Sequence, residues 1–226
     1  MKIGIYGGAF NPIHYGHLRT AEEILELLCL DNVLFIPSGR PPFDKPELED
    51  AAHRYNMVKM AINGNPYFKL SDIEMRTRGR AYSVDTLKRL RREFKRDEFF
   101  FIMGIDAFLD LPKWKEPEIL ITMTNLVIMS RPHFKFTDLI SSPYLEGVSK
   151  GTLRRLEKGA IPILSIPISE RHKAFLSRVT EINISASHIR ELIKDGRSIR
   201  YLLPEVVESY IISHRLYRNI EPKRGR

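Results

Sequence analysis

The chain has one cysteine, Cys29, in 226 residues. A single thiol excludes an internal disulfide framework and a thiolate-rich zinc site, and it fits a reducing compartment. A cytoplasmic location is the expectation. Cys29 lies among Leu27, Leu28 and Leu30, which predicts buried packing. No apolar run approaches the roughly 18 residues that a membrane span requires. Met1-Lys2-Ile3 leads directly into a strand pattern, without the charged and then apolar layout of a secretory signal. No membrane partner is expected. The sequence also lacks G-x-G-x-x-G, G-K-[ST] and H-E-x-x-H. The dinucleotide-binding fingerprint, the Walker loop and the common zinc-protease helix are thereby excluded. No internal repeat or low-complexity linker interrupts the chain.

What remains is 43% hydrophobic, enough for a substantial core, with a formal net charge of +8. That charge suits an anionic partner without choosing among nucleotide, nucleic acid and membrane surface. Apolar runs of strand type recur at Ile3–Tyr6, Val33–Ile36, Phe68–Ser71, Phe99–Met103, Leu126–Met129 and Ile161–Ser165. Helical patterns lie between them. Leu18, Ala21, Leu25 and Leu28 share one face. Tyr55, Val58 and Ile62 share another, and Val84, Leu87, Leu90 and Phe94 a third. Alternating strands and helices predict an α/β fold: a Rossmann-like, doubly wound parallel sheet with helices on both faces. Ser185 predicts an N-cap for a helix over 186–194 that stops at Asp195-Gly196, and Pro204 opens a last helix to about Ser213. Residues 1–218 read as a single domain with a helical C-terminal part from about 184. Residues 219–226 read as a frayed basic tail, and 132–160 as a surface excursion.

Residues 4–17 carry the strongest signal: Gly-Ile-Tyr-Gly-Gly-Ala-Phe-Asn-Pro-Ile-His-Tyr-Gly-His. A short strand runs into Gly7 and Gly8, then a turn, then a helix start flanked by His14 and His17. Glycines permit close backbone approach, and a helix start offers unpaired N–H groups, so the stretch predicts a phosphate site. The histidines add neutral or cationic donors. The competing reading, zinc, needs a third or fourth protein ligand. At the other end, Ser185 and Ser187 offer hydroxyls at a second helix start, with Arg190 one turn on. Alone, that group reads as readily as a capped helix with a surface arginine.

His14-Tyr15-Gly16-His17 resembles the HxGH signature of the nucleotidyltransferase superfamily. Ile184-Ser185-Ala186-Ser187-His188-Ile189-Arg190 resembles its partner, I-S-x-[ST]-x-I-R. Three further stretches are similar to bacterial nicotinate-nucleotide adenylyltransferases. They are Arg80-Ala81-Tyr82-Ser83-Val84-Asp85-Thr86-Leu87, then Gly104-Ile105-Asp106 with Leu111-Pro112-Lys113-Trp114, and Leu203 to Tyr217. The resemblance covers residues 2–218. The Tyr82, Gly104 and Trp114 stretches set the chain apart from phosphopantetheine adenylyltransferase.

The resemblance implies transfer of AMP from ATP to nicotinate mononucleotide, giving deamido-NAD and pyrophosphate, with Mg²⁺ accompanying the triphosphate. It implies catalytic roles for His14, His17 and Arg190. It implies ATP contacts from Gly7, Gly8, Ala9, Phe10, Gly104, Asp106, Arg131, Ile184, Ser185 and Ser187, and acceptor contacts from Ser38, Gly39, Tyr82, Ser83, Trp114 and Asp106. No protein metal ligand is implied. Adenylyl transfer to an acceptor phosphate needs positioning and charge neutralisation rather than a general base. Trp114 offers a flat face for a pyridine ring. The N–H groups at Tyr82 and Ser83 favour a carboxylate, hence nicotinate over nicotinamide. Ala9 stands where the family has Ser or Thr, so only a backbone donor remains there. Pro41-Pro42-Phe43-Asp44-Lys45 departs from a Pro-Pro-His-Lys pattern, and Arg40 is the nearest cation to compensate. Nicotinamide mononucleotide or a pantetheine phosphate stands as an alternative acceptor. A nucleic-acid-binding module, on the strength of Arg76, Arg78 and Arg80 and the basic face Lys88–Arg96, is the remote alternative.

Overall fold

The computed structural model describes residues 1–42 and 47–218. The tail 219–226 and Phe43, Asp44 and Lys45 of the departing loop lie outside the described residues. In chain order the elements are β1 (Lys2–Gly8), α1 (Tyr15–Leu27), β2 (Asn32–Pro37), α2 (Ala51–Ile62), β3 (Phe68–Leu70), α3 (Ser83–Glu93), β4 (Glu98–Gly104), α4 (Ile105–Leu109), α5 (Pro117–Ile121), β5 (Asn125–Met129), α6 (Lys150–Glu157), β6 (Ile163–Pro167), β7 (Lys173–Ser177), α7 (Ala186–Lys194) and α8 (Glu205–Ser213). They form a seven-stranded sheet in the order β3-β2-β1-β4-β5-β7-β6. Every pairing is parallel except that of β6 with β7.

Period-two alternation in the central strands divides the core in two. Ile3, Ile5, Phe99, Phe101 and Met103 point to one sheet face, where Leu87 and Leu90 of α3, Phe108 of α4 and Leu120 of α5 cover them. Tyr6, Phe100 and Ile102 point to the other, under Ile24 of α1, Met57 and Val58 of α2, Ile189 of α7 and Ile211 of α8. Both layers are near-continuously apolar, as a parallel sheet buried on two sides requires.

Three expectations are corrected. Cys29 is exposed, not buried. Helix α1 ends in a Schellman turn, with the N–H of Leu30 on Leu25 O at 2.9 Å and that of Cys29 on Glu26 O at 3.2 Å. Cys29 takes the left-handed position of that turn (φ 48°), which aims its side chain outward while Leu30 returns to the core. Second, the predicted strands lack one: the doubly wound, mostly parallel sheet is as expected, but β7, absent from the prediction, pairs with β5, and β6 forms an antiparallel edge on it. Pro167 at the end of β6 suits an edge strand. Third, 132–160 is no mere surface excursion. It holds a 3₁₀ helix (Phe136–Ser141) and α6, and buries Phe136, Leu139, Tyr144, Leu145, Leu153 and Leu156. Those side chains lie too far apart along the chain to show a single period.

Candidate active site

Strand order reverses direction between β1 and β4, and ligands of open α/β sheets bind beyond the strands' carboxyl ends at such a point. Gly7 and Gly8 end β1, Pro37 ends β2, Gly104 ends β4 and Met129 ends β5. The predicted residues therefore come from loops on one rim of the sheet.

Ala9 and Phe10 follow β1, and Phe10 turns back with φ 46° to pack edge-on against Tyr6 at 5.7 Å and His17 at 5.2 Å. His14 is the N-cap of α1, and its ring lies 3.8 Å from that of His17, with 33° between the planes. The backbone N–H of His14 donates to His17 Nδ1 at 3.3 Å. His17 therefore carries its proton on Nε2, as a donor. Among the described residues, His14 Nδ1 is buried with no hydrogen-bond partner. A buried polar atom left unpaired carries a desolvation cost. Burial, with Arg131 adding to it, lowers the His14 pKa to about 4. Burial, then His14, then Arg131 hold His17 well below the ordinary imidazole value. Both rings are neutral at pH 7, which selects the neutral form from the two forms left open by the sequence.

The second stretch arrives beside the first. Ser185 caps α7, its hydroxyl accepting the His188 N–H at 3.1 Å, while Ser187 is exposed on the first turn. Ile184 O lies within 3.7 Å of where a Gly16 side chain would begin. Arg190 Nη1 donates to Asn11 O at 3.0 Å, and its Nη2 pairs with Glu47 at 3.1 Å. Lys194, first, and Arg190 lower the Glu47 pKa. Asn11 ties the region together: its amide donates to Glu47 O at 2.8 Å, and its Oδ1 accepts from the Glu49 N–H at 3.1 Å and the Tyr217 hydroxyl at 3.0 Å.

Across the crevice, Arg131 Nε lies 3.4 Å from Asp106 Oδ1. Gly104 makes room for that pair, since a Cβ there would sit 2.4 Å from Asp106 Oδ1 and 2.7 Å from Arg131 Cγ. Two cavities flank Arg131. One of about 30 Å³ lies between His14, Gly16 and Thr20 and the segments 129–132 and 179–184. The other, about 260 Å³, is lined by 130–136, Glu157, Arg178 and Glu181.

The part of the rim holding Ser38, Gly39, Tyr82 and Ser83 is built around Arg54, which sequence reasoning missed. Its side chain is 1% exposed. It donates to Ala9 O at 2.8 Å, Gly39 O at 3.0 Å and Glu49 O at 2.9 Å, and reaches Ser38 Oγ at 3.4 Å. It thus sets the β1 loop against the β2 loop, where the Ser38 N–H donates to Gly8 O at 2.8 Å. Arg40 is exposed, and its carbonyl accepts the Ala81 N–H at 2.8 Å, bringing the start of α3 alongside. Tyr82 is the N-cap there and Ser83 the first helical residue. Trp114 is half-buried, edge-on to Phe101 at 6.2 Å, and Lys115 Nζ sits 4.9 Å from the centre of the Tyr82 ring. Lys115, the residue after Trp114, thus reaches the start of α3. Nothing in sequence distinguished Arg54 from a solvated helix arginine. Asn11 was visible within the first signature stretch, but its role as a junction depends on Tyr217.

Among the described residues, no group of three or more His, Cys, Asp and Glu side chains is placed to hold a metal ion, and no helix is long and apolar enough to cross a membrane. Several of the basic residues on and before α3 are engaged locally. On α3, Arg91 donates to Met123 O and Asp97 O and covers the Phe99 ring, and Lys88 pairs with Glu116; before it, Arg76 pairs with Asp72.

Residues 5–192 match the cytidylyltransferase-like family. The chain belongs to that family, among its nicotinate-nucleotide adenylyltransferases. It is 42% identical to a probable nicotinate-nucleotide adenylyltransferase of Syntrophotalea carbinolica, covering 98% of this chain and 99% of that one. It is 39% identical to one from Thermus thermophilus, over 96% and 100%. Among solved structures, Plasmodium falciparum nicotinic acid mononucleotide adenylyltransferase complexed with NaAD shares the fold. Its TM-score is 0.72 at 23% identity, covering 96% of this chain and 97% of that one. A putative nicotinate-nucleotide adenylyltransferase from Vibrio parahaemolyticus does so with a TM-score of 0.63 at 18% identity, covering 96% of each chain.

Proposed function

We propose that this chain transfers the adenylyl group of ATP to nicotinate mononucleotide, forming deamido-NAD and pyrophosphate. The observation that carries the reading is the convergence of the two signature stretches on Asn11, set within full-length similarity to adenylyltransferases of that name. The acceptor's phosphate oxygen attacks the α-phosphorus, a new O–P bond forms, and the bond from the α-phosphorus to the β-phosphate oxygen breaks. The phosphate nucleophile is already ionised at pH 7, so the protein's task is alignment and stabilisation of charge.

In this reading the neutral His14 and His17 donate to α- and β-phosphate oxygens from a water-poor wall, where fixed donors act strongly. Gly7, Gly8, Ala9 and Phe10 supply the backbone cradle. Arg131 balances charge on the triphosphate. Ile184, Ser185, Ser187 and Arg190 receive the departing pyrophosphate, with Arg190 exchanging Glu47 for phosphate. The cavity of about 260 Å³ beside Arg131 has room for the adenosine, and in this reading Gly104 and Asp106 meet the ribose, Asp106 accepting from its hydroxyls. Ser38, Gly39, Tyr82, Ser83 and Trp114 receive the acceptor. The groups that face the phosphates in this reading, His14, His17, Arg131 and Arg190, are neutral or basic, which would fit a divalent cation such as Mg²⁺ arriving with the triphosphate and supplying charge neutralisation there.

The test is pyrophosphate release with Mg-ATP and, separately, nicotinate mononucleotide, nicotinamide mononucleotide and phosphopantetheine. Strong preference for the first is expected. Equal use of the two pyridine nucleotides would remove the carboxylate argument, and turnover with phosphopantetheine alone would overturn the reading.

A further inference from the structure

Helix α3 starts at the acceptor end, with Tyr82 as an N-cap whose side chain makes no capping hydrogen bond. Two opposite charges share that first turn. Asp85 lies within it, and Lys115 Nζ reaches Asp85 Oδ2 at 2.9 Å while standing over the Tyr82 ring. Lys115 directly follows Trp114 in the chain. A carboxylate arriving at the start of α3, beside the Tyr82 ring, therefore meets an ammonium that is partly cancelled by a fixed carboxylate. An amide in the same place meets neither force to first order, because it has no net charge.

A second cross-link runs in the opposite sense, from Lys88 on α3 to Glu116 at 2.5 Å. It fastens α3 to the 114–116 segment independently of Lys115. The Lys115–Asp85 pair is thus not the sole staple there, while its position makes it an electrostatic control. We propose that Lys115 is a specificity-determining residue that favours an acidic pyridine nucleotide over its amide, and that Asp85 attenuates the preference. This inference rests on the functional reading above and adds the residues that set its selectivity.

The two roles of the pair predict different signs. As a staple, loss of either partner would shift acceptor use in the same direction. As a charge control, the two losses oppose each other. The experiment measures kcat/KM for nicotinate and nicotinamide mononucleotide with the full chain, for wild type, Lys115→Met, Asp85→Asn and the double variant. The acid-to-amide ratio should fall about fivefold in Lys115→Met and rise about threefold in Asp85→Asn, in line with a screened charge several ångströms away. It should return near wild type in the double variant. KM for ATP should stay constant throughout, and Lys115→Arg should keep the wild-type ratio. A ratio unmoved by the single variants, or moved the same way by both, overturns the inference alone. A wild-type enzyme without preference for the acid overturns it together with the functional reading.

Discussion

A side chain on Gly16 would begin 3.0 Å from both Nδ1 and Cε1 of His14. The glycine between the two histidines is therefore a spacer that lets the His14 ring lie flat against the first turn of α1. Alanine inside a helix is otherwise favourable by up to about 1 kcal/mol over glycine. Gly16→Ala should consequently keep or raise the melting temperature while kcat falls about tenfold or more. Thermal melts and steady-state kinetics on the same preparation check this; unchanged kcat would show that His14 can move without cost.

His17→Ala should fold normally and lose about 10²-fold or more in kcat, the scale for removing one donor to a developing charge. The Nε2–H is the group at stake, because Nδ1 is already occupied by the His14 N–H. His17→Gln, which retains an N–H donor, should recover part of the loss. Retention of near-normal turnover by His17→Ala would sink the assignment.

The buried histidines also set a pH dependence. His14 has a folded pKa of about 4 against 6.5 for a free imidazole, so between those values the unfolded chain binds more protons than the folded one. Stability is accordingly lost as the pH falls from about 6.5 to 4, by roughly 3 kcal/mol from this group. His14→Gln should flatten that part of the curve. Urea denaturation at pH 7, 5.5 and 4.5 for both proteins provides the measurement; parallel curves would contradict the neutral, buried state.

Arg54→Ala removes the donors of three loop carbonyls and should cost about 3–5 kcal/mol, as for breaking a buried charged network. Arg54→Lys keeps the charge but not the planar fork that spans Ala9, Gly39 and Glu49, so it should restore only a minor part. Chemical denaturation checks both, and a loss below about 1 kcal/mol in Arg54→Ala would assign the loop geometry to other contacts.

Trp114→Ala should raise KM for the acceptor nucleotide by about tenfold and leave KM for ATP nearly unchanged. The ring is half-buried and edge-on to Phe101, which leaves part of its surface accessible to a ligand. Equal loss for both substrates would argue that the indole serves packing instead.

Local chemistry wrote much of this molecule into the sequence. Continuous apolar runs located β1 and β4, Ser185 and Gly196 bounded α7, and His14, His17 and Arg190 stood out because short glycine-rich and hydroxyl-rich stretches carry their own conformational preferences. Those are interactions between residues a few positions apart, and one sequence records them directly. What only the tertiary structure decided depends on distance across the chain. The antiparallel edge β6–β7 follows from which strand finds a free neighbour. Cys29 faces outward because a helix stops one residue earlier than its apolar pattern. The neutrality of the two histidines arises from burial and from Arg131, and Arg54 becomes a bracket only where three loops meet. Periodicity reports which face of an element is apolar. It does not report what that face, or a charged residue beside it, will touch.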